Sequence, residues 1–438
     1  MEEKITKQFE DFQTEDCAQN LNEIPVRYAF VDLFSGLGGF RVGLERLGHR
    51  CVFSSEIDEE LRSVYLSNFG ELPAGDIREV QATDVPQHNI LCAGFPCQPF
   101  SLAGKKRGAA CPDSGRLIDD VLRIADHHRP KYVFLENVPN VLTIADGSFW
   151  KYVVKGFRRL GYHVDHRVYS PLQFGIPQQR LRVFIVARRN DIPAFEWPDP
   201  ISTKVKPLAE FLENHAGEDV RRIEPAKSLV LEKWAQFVRR IRPETSSTIL
   251  APEFGATYPL DGLPLKGWRR FKGAYGISLA HAADRNEALE LLPHYARSGT
   301  LPKWLRRSPE ISRELYKQDS DFLDEWKIAI EKSYKSWQML EWRGDRSKFD
   351  LWSHTIQFRA SGIRVMRSHL VPSLVAMTPT QTPIIGKRKR YLAVREAASL
   401  QSLEELRVFP ESSPRAFRAL GNAVNARIVT EVARAAIR

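Results

Sequence analysis

From Tyr28 to about Arg189, short apolar runs alternate with segments whose apolar residues recur at helical spacing. Ala29–Leu33, Cys51–Ser54, Ile90–Ala93, Tyr132–Leu135 and Val183–Ala187 read as buried strands. The stretch from 117 to 125 puts Leu117, Ile118, Val121, Leu122 and Ile124 on one face of a helix. Strand–helix alternation of this kind predicts an α/β fold, a mostly parallel sheet covered by helices. Prolines 193, 198 and 200 break the pattern and mark a boundary. Beyond it the character changes. Eight of the nine tryptophans lie between Trp197 and Trp352, interleaved with basic groups such as Arg239-Arg240, Trp268-Arg269-Arg270 and Leu305-Arg306-Arg307. Most of those tryptophans are expected to fill a core. After Gly386-Lys387-Arg388-Lys389-Arg390 the pattern turns helical again, through 396–403 and 414–437. The chain therefore divides into a polar leader (1–26), a first α/β part (27–195), an inserted domain (196–388) and a C-terminal return to the first part (389–438).

Length supports that division, because 438 residues exceed what one core usually holds. No apolar run approaches a membrane span, and the acidic, polar start is unlike a secretory signal. A net charge of +10 favours a polyanionic partner. The five cysteines (17, 51, 92, 97 and 111) are odd in number and form no CxxC, so neither a disulfide framework nor a metal site is expected. A cytoplasmic compartment follows.

Candidate chemistry sits at the ends of the apolar runs. Ile90–Ala93 leads into Gly94-Phe95-Pro96-Cys97-Gln98-Pro99-Phe100-Ser101, a proline-stiffened turn that presents a thiol from a strand tip. Tyr132–Leu135 ends in Glu136-Asn137-Val138-Pro139, a carboxylate at the next strand tip. Phe34-Ser35-Gly36-Leu37-Gly38-Gly39 is a glycine-rich strand–helix turn, although Arg41 breaks the dinucleotide fingerprint. Glu56, about 20 residues on, suits a ribose diol or else a helix start. Asp76-Ile77 stands where a third strand would end, and could take an adenine amino group or simply cap a turn. In Gln178-Gln179-Arg180-Leu181-Arg182, alternation points both arginines to one face, for a phosphate, a base carbonyl or a carboxylate. The segment 104–110, with Lys105, Lys106 and Arg107, is either a surface loop or a lid over phosphates.

Taken in order and spacing, these motifs resemble the DNA cytosine-5 methyltransferase family of the bacterial modification type, over 28–190 and 390–435. The carriers are the turn 32–39, Phe95-Pro96-Cys97-Gln98, Glu136-Asn137-Val138, Gln178–Arg182, Arg395-Glu396-Ala397-Ala398 and Gly421-Asn422-Ala423-Val424. The resemblance implies a Rossmann-like S-adenosylmethionine-dependent domain with an inserted smaller target-recognition domain. It implies that Cys97 is the nucleophile and that Glu136, Arg180 and Arg182 hold the target base. Phe34, Ser35, Gly36, Leu37, Gly38, Gly39, Glu56, Ile57, Asp76, Ile77, Leu117, Asn422, Ala423 and Val424 would form the S-adenosylmethionine pocket. Gln98, Ser101, Lys105, Lys106 and Arg107 would contact DNA from a loop, 98–112, closing over a flipped nucleotide. The implied partner is double-stranded DNA, met by a monomer in a bacterial cytoplasm, at the nucleoid. A restriction endonuclease cognate for the same site goes with this type, although no residue encodes it. Two features depart from the pattern: Ile57 replaces a frequent aromatic, and Asp113-Ser114-Gly115-Arg116 transposes the usual Arg-Gly order. Cys111, in the same loop, has no role in this scheme. Two other readings compete, a cytosine methyltransferase acting on RNA and a non-catalytic DNA-binding scaffold. The basic domain disfavours the first, and the intact Cys97, Glu136 and Arg180 disfavour the second.

Overall fold

The computed structural model describes residues 28–95, 117–200, 205–214, 220–244, 246–299, 301–374 and 381–437. The chain forms two compact units. The first holds residues up to Val168, Val183–Pro198 and the chain from Val424 on; the second holds Tyr169–Arg182 and Asp199–Ala423.

The first unit is built on β1 (Ala29–Leu33), α1 (Gly39–Glu45), β2 (Arg50–Ser55), α2 (Glu59–Phe69), β3 (Ile90–Ala93), α3 (Leu117–His128), β4 (Tyr132–Asn137), α4 (Ser148–Arg159) and β5 (Tyr162–Tyr169). Counting the two-residue β6 (Gln178–Gln179) of the second unit, the next strand is β7 (Arg182–Arg189). The sheet runs β2-β1-β3-β4-β7-β5. Its first four strands are parallel and β7 is antiparallel to β4. All five sequence-predicted strands are present. The strand expected to end near Asp76 is not: Ala74 makes only a single-residue bridge to Ser55. β5 is an addition that hydrophobic runs did not reveal.

The central strands are buried on both faces, and Val31, Leu33, Leu91, Val133 and Ile185 share one core with Ile118, Val121 and Phe157. Asp58 caps α2 by accepting from the Glu60 and Leu61 amides, and Gly70 ends it in the left-handed conformation.

The second unit contains α5 (Pro225–Ile241), β8 (Thr248–Leu250), α6 (Arg285–Glu290), α7 (Arg307–Gln318), α8 (Ser320–Glu331), β9 (Met339–Arg343), β10 (Thr355–Arg359), β11 (Gly362–Met366), β12 (Val371–Pro372), β13 (Ile384–Ile385), β14 (Arg390–Tyr391), α9 (Val394–Leu400) and α10 (Ser413–Asn422). Its sheet, β14-β13-β10-β11-β9-β8, packs Leu340, Trp342, Ile356 and Val365 against Trp234 and Phe237 of α5 and Trp326 of α8. The tryptophans here are mostly core, as expected, with Trp304 the exposed exception at 76%.

The return to the first unit begins at Val424 and not at residue 389. Buried Glu396 of α9 explains the difference. It takes two bonds from the Arg390 guanidinium, at 2.6 and 2.9 Å, and one from the Glu213 amide at 3.0 Å, all within the second unit. α11 (Ala426–Ala436) belongs to the first unit. It lies on α1, where a Cβ at Gly43 would come within 2.6 Å of Val429, and the Thr430 hydroxyl donates to the Gly43 carbonyl at 2.9 Å. No described helix is long and apolar enough to cross a membrane.

Candidate active site

β1 delivers the chain into a turn that ordinary residues resist. Phe34 (φ 56°), Gly36 (φ 53°) and Gly38 (φ 79°) are all left-handed. Glycine takes that geometry freely, whereas for Phe34 it costs roughly 1–2 kcal/mol. The turn is held from two sides: the Ser35 amide donates to the Ser55 carbonyl at 2.9 Å, and the Gly38 amide to the Ser35 carbonyl at 2.7 Å. Glu56 then ties the end of β2 to it. One carboxylate oxygen accepts from the Gly36 amide and the other from the Asp58 amide, each at 2.9 Å. Burial pushes the Glu56 carboxyl above its usual range, and those two N–H groups oppose the shift. A carboxylate offers about four acceptor sites, so capacity remains for a diol.

The three glycines differ in what surrounds them. A Cβ at Gly38 would strike the Phe69 ring at 2.7 Å, and one at Gly39 the Val424 carbonyl oxygen at 2.3 Å. At Gly36 the space is open, with only the Phe34 carbonyl at 4.0 Å. Beside it the buried Ser35 hydroxyl has no hydrogen-bond partner among the described residues. An open backbone, an unmet hydroxyl and a positioned carboxylate fit a polar, ribose-bearing cofactor. Beneath the turn, Asp32 is fully buried and held well above the usual carboxylate range by desolvation, which nearby Arg41 opposes.

Asp76 is drawn to its own turn. Arg78 chelates it, with Nε at 3.0 and 2.8 Å from the two oxygens, and holds its carboxyl below the ordinary value. Of the two sequence readings, turn capping is the one visible here. Ile77 is buried, and its carbonyl accepts from Arg123 of α3 at 2.9 Å, which fixes this turn to the helix that begins at Leu117. Ile57, which follows Glu56, is 64% exposed.

The chemistry end lies on the same sheet edge. Leu33, Ala93 and Leu135 are register partners across β1, β3 and β4. The residues that follow them (Phe34, Gly94 and Glu136) therefore line up at the carboxyl ends of parallel strands, where ligands bind in open α/β sheets. Two strand spacings put the cofactor turn and Glu136 about 10 Å apart. Glu136 is buried at 6% exposure. Its neighbour Asn137, to which the sequence reading gave no role, donates to the Phe95 carbonyl at 3.1 Å, while its side-chain oxygen accepts from the Val138 amide at 2.8 Å. The segment that leads to the thiol is thus fastened to the strand that carries the carboxylate. Val424 completes the arrangement: it covers Gly39 and also lies 3.4 Å from where a Gly94 Cβ would stand. Cys97, Gln98, Ser101, Lys105, Lys106 and Arg107 lie outside the described residues, as do Cys17, Cys111 and the leader. Cys51 and Cys92 are buried free thiols.

Arg180, Arg182, Asn422 and Ala423 fall in the second unit. Burial does alternate there, with Gln178 and Arg180 in and Gln179 and Leu181 out. The two arginines nevertheless differ. Arg180 is 2% exposed and donates from Nη2 to the Ala423 carbonyl at 3.1 Å, whereas half-buried Arg182 donates to the Leu181 carbonyl at 2.8 Å. Gln178 is fixed by Gln401, whose amide donates to it at 2.9 Å.

The chain is 45% identical over 187 residues to the Type II methyltransferase M.MspI of Moraxella sp, covering 43% of this chain and 44% of that protein. It is 44% identical over 268 residues to M.NgoBI of Neisseria gonorrhoeae, covering 60% of this chain and 81% of that one. M.AluI of Cellulosimicrobium cellulans aligns over 95% of this chain and 93% of its own length at 28% identity. The chain thus spans less than half of the M.MspI protein but most of the latter two. A solved structure of a prophage-encoded E. coli protein covers 92% of this chain and 97% of its own at TM-score 0.50 and 14% identity, a likeness of fold alone. The family model for C-5 cytosine-specific DNA methylase matches residues 28–438, and the chain belongs to that family.

Proposed function

We propose that this protein methylates C5 of cytosine at a specific site in double-stranded DNA, with S-adenosylmethionine as donor. The observation that carries the reading is the shared sheet edge: the cofactor turn, the segment leading to Cys97 and Glu136 follow three register partners, with Val424 against both Gly39 and Gly94.

Gly36, Ser35 and Glu56 would hold the cofactor. When bound, it supplies an electrophilic methyl group on sulfonium sulfur. The chain's own residues make C5 nucleophilic. The Cys97 thiolate forms a bond to C6, and the C5–C6 π pair shifts towards C5 as Glu136 hydrogen-bonds or protonates N3. After C5 takes the methyl group, its proton leaves to a base. The electron pair then re-forms the C5–C6 bond and expels the Cys97 thiolate. A free thiol titrates near ~8.5, so a positive environment from Arg180 or Arg182 would favour the thiolate. C6 is inaccessible in a stacked duplex, so the base must flip out, at roughly a few kcal/mol. Phosphate contacts from the basic second unit and the loop 98–112 would offset that cost. Protection of host DNA against a cognate endonuclease is the role that goes with this activity.

Bisulfite sequencing of unmethylated genomic DNA, after incubation with protein and S-adenosylmethionine, tests the reading. Methylation confined to one short motif is expected. Unmethylated DNA together with methylated RNA, or with neither methylated while cofactor binding is intact, would refute it.

A further inference from the structure

The second unit carries one surface that its core packing does not explain. Among the described large hydrophobic residues, Leu265 and Trp304 are the most exposed, at 81% and 76%. They sit on separate turns that are tied together. Arg306 pairs with Asp261 at 2.7 Å, and a Cβ at Gly262 would come within 3.1 Å of the Gly299 carbonyl. Each turn has its own anchor, Leu263 at 4% and Leu305 at 6% exposure. Their outward neighbours are therefore held in water by a fixed backbone. This contrasts with Trp234, Trp326 and Trp342, all buried. Lys303, Arg306 and Arg307 surround Trp304 and are exposed; Asp261, the acid within the pair of turns, is already matched by Arg306, and Glu310 follows one turn into α7.

We propose that these turns, 262–267 and 302–307, form a duplex-contacting surface. Trp304 and Leu265 would enter a groove against the sugars and base edges, and Lys303 and Arg307 would hold flanking phosphates. The chemistry favours DNA over a protein partner because exposed Lys303 and Arg307 flank Trp304 and exposed Lys266 follows Leu265. Phosphates release counterions to such groups, and apolar side chains enter a duplex groove as wedges. The inference rests on the reading that the enzyme acts on duplex DNA.

The test is equilibrium binding of the full chain, with S-adenosylhomocysteine, to a duplex containing its methylation site across a salt series. Trp304→Ala should bind about tenfold more weakly, with an unchanged salt slope. Leu265→Ala should weaken binding less. Arg307→Gln should reduce the slope of log K against log salt by about 1. Because these side chains are exposed, the variants' thermal midpoints should match the wild type, which separates contact from folding. Wild-type binding with all three variants unchanged overturns this surface alone. Unaltered DNA affinity with loss of self-association in Trp304→Ala would assign the patch to a second copy and also overturn it. A wild type that binds no duplex overturns the reading beneath it.

Discussion

Gly39→Ala probes the junction between the cofactor turn and the C-terminal return. The added Cβ would stand 2.3 Å from the Val424 carbonyl oxygen and 3.1 Å from its carbonyl carbon. These are backbone atoms, so no rotamer change relieves the clash, and the two segments must separate by about 1 Å to regain van der Waals distance. Overpacking of this kind costs ~1–3 kcal/mol, and a rigid contact belongs at the upper end. Opposing it, Gly39 opens α1, where alanine gains at most ~1 kcal/mol in helix propensity. The clash wins by about 2 kcal/mol, or roughly 4–8 °C in melting temperature for a unit of this size. Cofactor affinity should fall as well, because Val424 moves away from Gly39 and Gly94 together. Gly75→Ala is the stability control: its Cβ would meet nothing within 4 Å, so a change within about 0.5 kcal/mol is expected. Thermal unfolding with and without S-adenosylhomocysteine, plus calorimetric titration, reads both effects. A Gly39→Ala protein as stable as wild type, with unchanged cofactor affinity, would refute the packing argument.

Three further outcomes follow from individual side chains. Glu136→Gln should leave cofactor binding intact and lower the methylation rate by at least about 100-fold, measured in single-turnover assays, because the amide cannot deliver a proton to N3. His88 is buried against the His128 ring, 4.7 Å between centroids, and desolvation pushes its pKa down from 6.5 to about 4. Below pH 6.5 the unfolded chain takes up a proton that the native chain refuses, so native stability, full above pH 6.5, is lost as pH falls towards 4. The loss approaches about 3 kcal/mol, and urea unfolding of wild type against His88→Phe at pH 7 and pH 5 should show a steeper decline for the wild type. Glu253 is fully buried and accepts from Tyr258, Tyr295 and Arg313 at 2.5, 2.9 and 2.9 Å. Replacing it with alanine strands the Arg313 charge and should destabilise the second unit by roughly 3–5 kcal/mol, seen as an earlier denaturant transition.

What the sequence disclosed and what it hid have physical causes. The central strands were legible because helices cover both faces, so Ile90–Ala93 is a continuous apolar run and Ala29–Leu33 is apolar apart from Asp32. β5 escaped notice because it is an edge strand with His163, Asp165 and Arg167 facing outwards, so its pattern alternates and has no long apolar run. The third strand failed because pairing stops at one residue: Ala74 exchanges backbone bonds with Ser54 and Glu56, and beyond it Asp76 and Ile77 are held by the Arg78 and Arg123 side chains. Glu56 and Gly36 were recognisable from spacing, but their mutual hydrogen bond was not, since it joins residues 20 apart. The sequence pattern puts the restart at 389 and the structure at Val424, because 396–403 and 414–437 look equally helical. The unit boundary falls inside the second of these stretches, between α10 and α11: the Arg390–Glu396 pair holds α9 within the second unit, and the Gly43–Val429 contact holds α11 within the first. Asn137 carried a signal, its place directly after Glu136, but its bond to Phe95 is a tertiary fact.

The central claim is covalent capture of a cytosine by Cys97, and a mechanism-based trap tests it most directly. A duplex carrying 5-fluorocytosine at the methylated position should, with S-adenosylmethionine, give a stable protein–DNA adduct whose peptide mass places the bond on Cys97. Cys97→Ser should give none. Fluorine cannot leave as a proton does, so elimination stalls. Wild-type protein that binds this duplex and methylates the ordinary one, yet forms no adduct or forms it elsewhere, would contradict the account.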